Sequence, residues 1–263
     1  MADAGQLSLE FIGLAPDSYD VFVRRVTRSR PDVMAVLTPS VDTAGVIGVA
    51  MMHKIPLIGT GDSAIDWGLT AVSYNDDDGA CQAVHHLVAQ GHRRIALVQQ
   101  AISRPYVLRR REGFWRGMAE AGLPADQNME LWVPQWNAMQ SESPADRVQL
   151  LEQFIKRQRV TAILFSEAKL ASLLGPSVQR GEIRVPQDLS FISFDQTYED
   201  YRAWLGNIRP TVMALPLEQV GRRLGELAVQ IFRGQPFRTP VREDCHLVVG
   251  ETVGPPSSII SVS

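Results

Sequence analysis

The sequence predicts an α/β fold built on a mostly parallel sheet, and three observations point there. Short apolar runs of strand length alternate along the chain with amphipathic helical stretches, the order that βαβ units produce. Several of these runs, VMAVL and the IALV of RIALV among them, are apolar throughout, as strands covered by helices on both faces must be. With 263 residues, 45% of them hydrophobic and 21% charged, the chain can bury one large core or two medium ones.

Composition also excludes several classes of protein. A formal net charge of -3 and a pI near 6.0 leave no basic surplus for gripping a phosphate backbone, so the chain is not expected to read nucleic acid itself. Cys81 and Cys245 lie far apart and form no metal-ligand spacing, which fits buried free thiols in a reducing compartment. The opening MADAGQLSLEFIGL has no basic stretch followed by an apolar core and cleavage site, and no apolar run reaches about 18 residues. A cytoplasmic chain that neither spans a membrane nor is exported is therefore expected.

Taken in order, the predicted strands are 7–14, 33–38, 55–60, 70–74, 94–99, 161–165, 189–194 and 245–249. A helix is predicted from Asp76 to Gln90, where Ala80, Ala83, Val84, Leu87 and Val88 recur at helical spacing. Asp76, Asp77 and Asp78 crowd its start, where carboxylates cap free amides and meet the positive end of the dipole, and Gly91 supplies its stop. Ser143 and Pro144 form an N-cap and first-turn pair for a second helix carrying Val148, Leu151, Phe154 and Ile155 on one face. Between Glu167 and Arg180 the helical pattern is interrupted by Gly175 and Pro176, which should kink or split it. The last long helix runs from Leu217 to Phe232 with Val220, Leu224, Leu227, Ala228 and Ile231 inward, and stops at Gly234. Beyond Gly254 the tail has no strand or helix signal.

Four blocks together resemble the effector-binding domain of the LacI/GalR family of transcription regulators, which shares its fold with periplasmic sugar-binding proteins. They are NDDDGACQAVHHLVAQGHRRIALV at 75–98, RRREGFWRGMAEAGL at 109–123, VPQDLSFISFD at 185–195, and PLEQVGRRLGELAVQIFRG at 216–234 followed by HLVVGETVGPP. The resemblance implies two doubly wound parallel-sheet lobes of periplasmic-binding-protein type joined by three crossover strands, with a small polar effector, a sugar or sugar derivative, held between them. Crossings near 100–104, 206–212 and 238–242 would put 1–100 plus 213–237 in lobe one, 101–212 plus 238–256 in lobe two, and leave 257–263 as a loose tail. It also implies a homodimer that touches DNA only through a helix-turn-helix headpiece absent from this sequence. The opening QLSLEFIGLAPDSYDVFVRRV resembles the family's second strand and second helix, so the first strand and helix of lobe one are expected to be missing.

Sugar sites use planar, multidentate polar groups, often with an aromatic plate, placed outside the carboxyl ends of parallel strands. Arg110 matches the family's effector-contacting arginine three residues before Gly113, although flanking Arg109 and Arg111 also admit a solvated helix-start cation. Asp195 closes the apolar run LSFISF, and a carboxylate there needs a partner, a ligand or a helix start to cap. Asn75 precedes the first long helix and is either a ligand contact or a turn and N-cap residue. Ser166 and Glu167 replace the family's usual Asn-Asp pair, which shifts charge and reach at that edge. Trp136, in a loop, either stacks on a sugar face or is simply buried.

Enzyme readings find no support. There is no GxSxG elbow, P-loop or GxGxxG turn, and adjacent His85 and His86 point in different directions on their helix. No catalytic residue, cofactor or metal is expected. Two other classes remain open at this point: a free-standing small-molecule binding protein, and an α/β enzyme of unfamiliar pattern.

Overall fold

The computed structural model describes residues 19–37, 44–134, 143–195 and 198–257. The chain divides into two compact units, Met1–Val72 with Gly221–Val241, and Ser73–Val220 with Arg242–Ser263.

In the first unit the described elements begin with α1 (Tyr19–Ser29), β1 (Met34–Val36), α2 (Ala44–Met52), β2 (Leu57–Thr60) and α3 (Gly61–Asp66). Phe22 and Val26 of α1 meet Val46, Val49 and Ala50 of α2 and Ile55 in one small core. Strands β1 and β2 run parallel with Met34 opposite Leu57. Next comes β3 (Thr70–Tyr74), and the sheet order β1-β2-β3-β9 is completed by β9 (Val241–Glu243).

The second unit is built on α4 (Asp76–Ala89), β4 (Ile95–Gln100), α5 (Pro105–Glu120), β5 (Glu130–Val133), α6 (Pro144–Gln158) and β6 (Ala162–Phe165). The chain continues through α7 (Ala168–Ala171), α8 (Gly175–Gln179), β7 (Ser190–Phe194), α9 (Tyr198–Leu205), β8 (Thr211–Ala214), α10 (Leu217–Phe232) and, after β9, β10 (His246–Val248). The six strands order as β10-β8-β7-β6-β4-β5, all parallel except β10 against β8.

The period-two rule explains why its central strands are apolar throughout. Leu97, Ala162, Leu164, Ile192 and Phe194 join Ala80, Val84, Leu87 and Phe114 of α4 and α5 in one core. Their alternates Ala96, Val98, Ile163, Phe165 and Phe191 join Leu151, Leu170, Tyr201 and Trp204 in a second core. Both faces of the sheet are thus covered, as the α/β expectation requires.

Two glycines set the spacing of α4 and α5. A Cβ on Gly113 would lie 1.9 Å from the Asp77 carbonyl oxygen, and one on Gly117 would lie 2.9 Å from Val84 Cβ. Backbone therefore meets backbone where any larger residue would hold the helices apart. His92 pins the far end of the sheet: it is buried, its Nε2 donates to the Gly254 carbonyl at 2.9 Å, and its Nδ1 stands 3.0 Å from the Thr161 hydroxyl.

Most elements follow the sequence reading, and the exceptions have identifiable causes. The segment from Glu167 to Arg180 splits into α7, a 3-10 turn at Ser172–Leu174 and α8. Gly175 serves packing there, since a Cβ would stand 3.2 Å from Trp204. Ser143 caps α6 through a capping box with Asp146. By contrast, α4 has no side-chain cap at Asn75, and its acidic triplet is taken up by arginines of α5.

The chain passes between the compact units at three places. The first change of unit falls at Val72 and Ser73, ahead of the packing of α4 on α5 and the pairing of β4 with β5 and β6. The second falls inside α10, between Val220 and Gly221, and the third inside β9, between Val241 and Arg242. The expected strand 7–14 lies outside the described residues. Among the described residues no helix is long and apolar enough to cross a membrane.

Candidate functional site

Four elements of the second unit bring a polar cluster to the carboxyl edge of its sheet. Of the three consecutive arginines on α5, Arg110 is the one that faces the α4 side of the sheet and is 3% exposed, whereas Arg111 turns away to Glu130 at 2.6 Å. Arg110 Nε donates to Asp76 Oδ1 at 2.7 Å, its Nη1 donates to the Ser166 carbonyl, and its Nη2 lies 3.6 Å from Asp195 Oδ1. The guanidinium carbon sits 4.0 Å from the centre of the Phe194 ring and 4.9 Å from that of Tyr106. Two aromatic faces, two hydrogen-bond acceptors and the nearby Asp195 charge therefore hold the fork in one plane. Burial pulls the Arg110 pKa down, but the Asp76 and Asp195 carboxylates outweigh it and the guanidinium is held above its ordinary value.

Asp195 follows β7 in a left-handed conformation, φ 70°, with its amide donating to the Met213 carbonyl at 3.2 Å. That turn leaves its carboxylate 35% exposed at the edge while one oxygen approaches Arg110. Glu167, just past β6, accepts a 2.9 Å hydrogen bond from the Tyr106 hydroxyl. Burial raises the Glu167 carboxyl above the usual carboxylate range, opposed by the Tyr106 bond and the Arg110 charge. Tyr106 is itself raised, first by burial and then by the negative Glu167 beside it.

Ser166 is fully buried at the end of β6, with its amide donating to the Val98 carbonyl of β4. Among the described residues, its hydroxyl and both amide atoms of the equally buried Gln99 have no hydrogen-bond partner. Such groups are costly to bury, and they stand beside one another at the ends of adjacent parallel strands, where ligands of α/β sheets bind. Asp76 and Asp195 approach the Arg110 guanidinium, and the third carboxylate, Glu167, bonds Tyr106 and feels the charges of Arg110 and Lys169, so the cluster is rich in acceptors.

Of the residues expected from sequence, Arg110, Ser166, Glu167 and Asp195 come together here. Asn75 stands at the start of α4, where its amide side chain donates to Asp244 and its backbone amide to the Glu243 carbonyl. Trp136 lies outside the described residues. Sequence reading did not single out Tyr106, Phe194 or Gln99, and it treated Asp76 as a capping acid. Tyr106 stands one helical turn before Arg110, a spacing that could have flagged it.

A second group of side chains meets between α4 and α5, where Cys81, His85 and Glu120 converge. Both cysteines are buried and free, as their spacing implied.

A family model described as a periplasmic binding protein-like domain matches residues 84–253. The chain is similar to the HTH-type transcriptional repressor PurR of Photobacterium profundum, with 25% identity over 216 residues that cover 80% of this chain and 59% of that protein. It thus spans less than two thirds of that relative's length. Among solved structures, a LacI family transcriptional regulator from Enterococcus faecium with bound ribose matches with a TM-score of 0.71 at 20% identity, covering 89% of this chain and 83% of that one. A complex of the transcriptional regulator CelR with cellobiose matches with a TM-score of 0.69 at 19% identity, covering 89% of this chain and 69% of that one. These relatives are transcriptional regulators, not enzymes.

Proposed function

The chain belongs to the periplasmic binding protein-like domain family, and from that premise we propose that it is the effector-sensing part of a LacI-type transcription regulator, holding a small polar molecule at the Arg110 cluster. The observation that carries this reading is the juxtaposition of a rigidly held Arg110 with the unpartnered Ser166 hydroxyl and Gln99 amide at one sheet edge. Hydroxyl-bearing effectors suit such a site, because each hydroxyl both donates to a carboxylate and accepts from an amide or guanidinium. The regulators bound to ribose and cellobiose support a sugar as the effector class. The carboxylates of Asp76, Asp195 and Glu167 outnumber the cations Arg110 and Lys169, which favours neutral or amine-bearing sugars over sugar acids and phosphates, since a like charge brought into a poorly hydrated site is repelled.

In this reading the working molecule is a cytoplasmic homodimer, and DNA is contacted through a helix-turn-helix segment of the kind named in the PurR relative. The effector acts by binding one of two conformations more tightly, and its differential affinity sets how far DNA binding shifts.

A thermal-shift screen of the full chain against neutral sugars, amino sugars, sugar acids and nucleosides tests the proposal. A neutral or amino sugar should raise the melting temperature, and Glu167→Gln should weaken that response by about tenfold, the scale of one charge-assisted hydrogen bond. If no compound raises the melting temperature, or if Glu167→Gln responds as the parent does, the cluster is not the effector site.

A further inference from the structure

The close approach of α4 and α5 assembles three metal-ligating groups that the Arg110 cluster does not use. Cys81 and His85 stand one helical turn apart on α4, so both face α5, and Glu120 ends α5 one turn beyond Gly117. Gly117 has no side chain to separate the helices, and a Cβ there would stand 3.1 Å from the Cys81 carbonyl oxygen. Cys81 Sγ lies 3.4 Å from Glu120 Oε2 and 3.8 Å from His85 Nε2, and those last two atoms are 3.1 Å apart.

These separations are close to the edges of a coordination tetrahedron. Zinc bond lengths of about 2.3 Å to sulfur and about 2.0–2.1 Å to nitrogen or oxygen put tetrahedral ligand atoms about 3.5 Å apart when one is sulfur, and about 3.4 Å apart otherwise. All three observed distances fall within about 0.3 Å of those values.

We propose that Cys81, His85 and Glu120 form a binding site for a divalent transition-metal ion of the zinc class, with its fourth coordination position open. Thiolate and imidazole select zinc and cobalt over magnesium and calcium, which demand oxygen ligands. On binding, the Cys81 S–H bond is lost, a sulfur–metal bond forms and the proton passes to solvent. The open position follows from exposure: His85 and Glu120 are about half exposed, with only Cys81 buried. Arg116 stands against the site: its guanidinium bonds the Cys81 sulfur and is also met by Asp77 at 3.2 Å and by Asp78. Its Nε lies 3.8 Å from Glu120 Oε1, which steadies the carboxylate and leaves Oε2 for the metal.

Cobalt(II) titration of the full chain, followed by zinc competition, tests the site. One equivalent of cobalt should give visible ligand-field bands with a near-ultraviolet thiolate charge-transfer band, and zinc should bleach both. Cys81→Ser should abolish the charge-transfer band, while His85→Ala and Glu120→Gln should each weaken binding by about tenfold or more. His85 is on the surface, so its variant keeps the test informative if Cys81→Ser misfolds. No charge-transfer band with one equivalent of cobalt, a band that survives Cys81→Ser, or parental affinity in His85→Ala overturns the assignment.

Discussion

Arg110 Nε donates to Asp76 Oδ1 at 2.7 Å while the two side chains are 3% and 2% exposed, so the cation of the candidate site is balanced first by its own protein. Breaking a buried pair by removing one member leaves an uncompensated charge, at a cost of about 3–5 kcal/mol. Asp76→Ala should lose that much stability in urea denaturation, less whatever Asp195 at 3.6 Å recovers. Asp76→Asn keeps an acceptor oxygen and should lose less. A loss under about 1 kcal/mol for Asp76→Ala would mean that the pair behaves as a solvated one.

Glu167 should show the opposite balance between stability and binding. Its folded pKa is raised by burial, so the fold favours the protonated acid; its contribution is present below the unfolded value and is lost as pH rises through the folded one. Glu167→Gln should therefore melt no lower than the parent at pH 7 while responding less to effector. Tyr106→Phe removes a bond that lowers the Glu167 pKa, so carbon-13 NMR should find that carboxyl titrating at still higher pH.

Histidine titration predicts acid sensitivity. Burial lowers the pKa of His92, countered by its bond to the Gly254 carbonyl, and burial also lowers that of His86. An unfolded chain takes up protons below about pH 6.5 that these folded rings refuse, so stability should fall as pH drops from that value toward the folded pKa values. His92→Gln should flatten the slope of melting temperature between about pH 6.5 and 5. An unchanged slope would remove His92 from the account.

Glycine substitutions offer a paired test of packing. Gly113→Ala puts a methyl 1.9 Å from the Asp77 carbonyl oxygen and should destabilise by at least about 1–3 kcal/mol by forcing α4 and α5 apart. Gly225→Ala on α10 meets nothing within 4 Å and should stabilise by about 0.5–1 kcal/mol. Chemical denaturation of both variants decides, and equal effects would contradict the helix contact.

Much of the fold was legible because it is written in local periodicity. Strand β3 and helix α10 fall on the expected residues, α4 starts at Asp76 and runs to within one residue of its expected end, and the Ser143 cap is in place. Helix α2, AGVIGVAMM, escaped notice because it is apolar on every side and carries no stripe to read. Strand β5 is a four-residue edge strand with exposed Trp132, too short and too mixed to stand out.

The sequence by itself determined a doubly covered parallel sheet, since apolar alternation and helical stripes report which faces of each element are buried. It also supplied Ser166, Glu167 and Asp195 as candidates by their places after strands, and Arg110 by its resemblance to the family's effector-contacting arginine. Only the tertiary structure decided which of three adjacent arginines is buried, that Asp76 goes to Arg110 while Asp77 and Asp78 go to Arg116, and that Cys81 and His85 meet Glu120. The reason is physical: periodicity fixes which side of a helix faces inward, whereas the partner of a charge depends on how closely two helices approach. Here that approach rests on the missing side chains of Gly113 and Gly117.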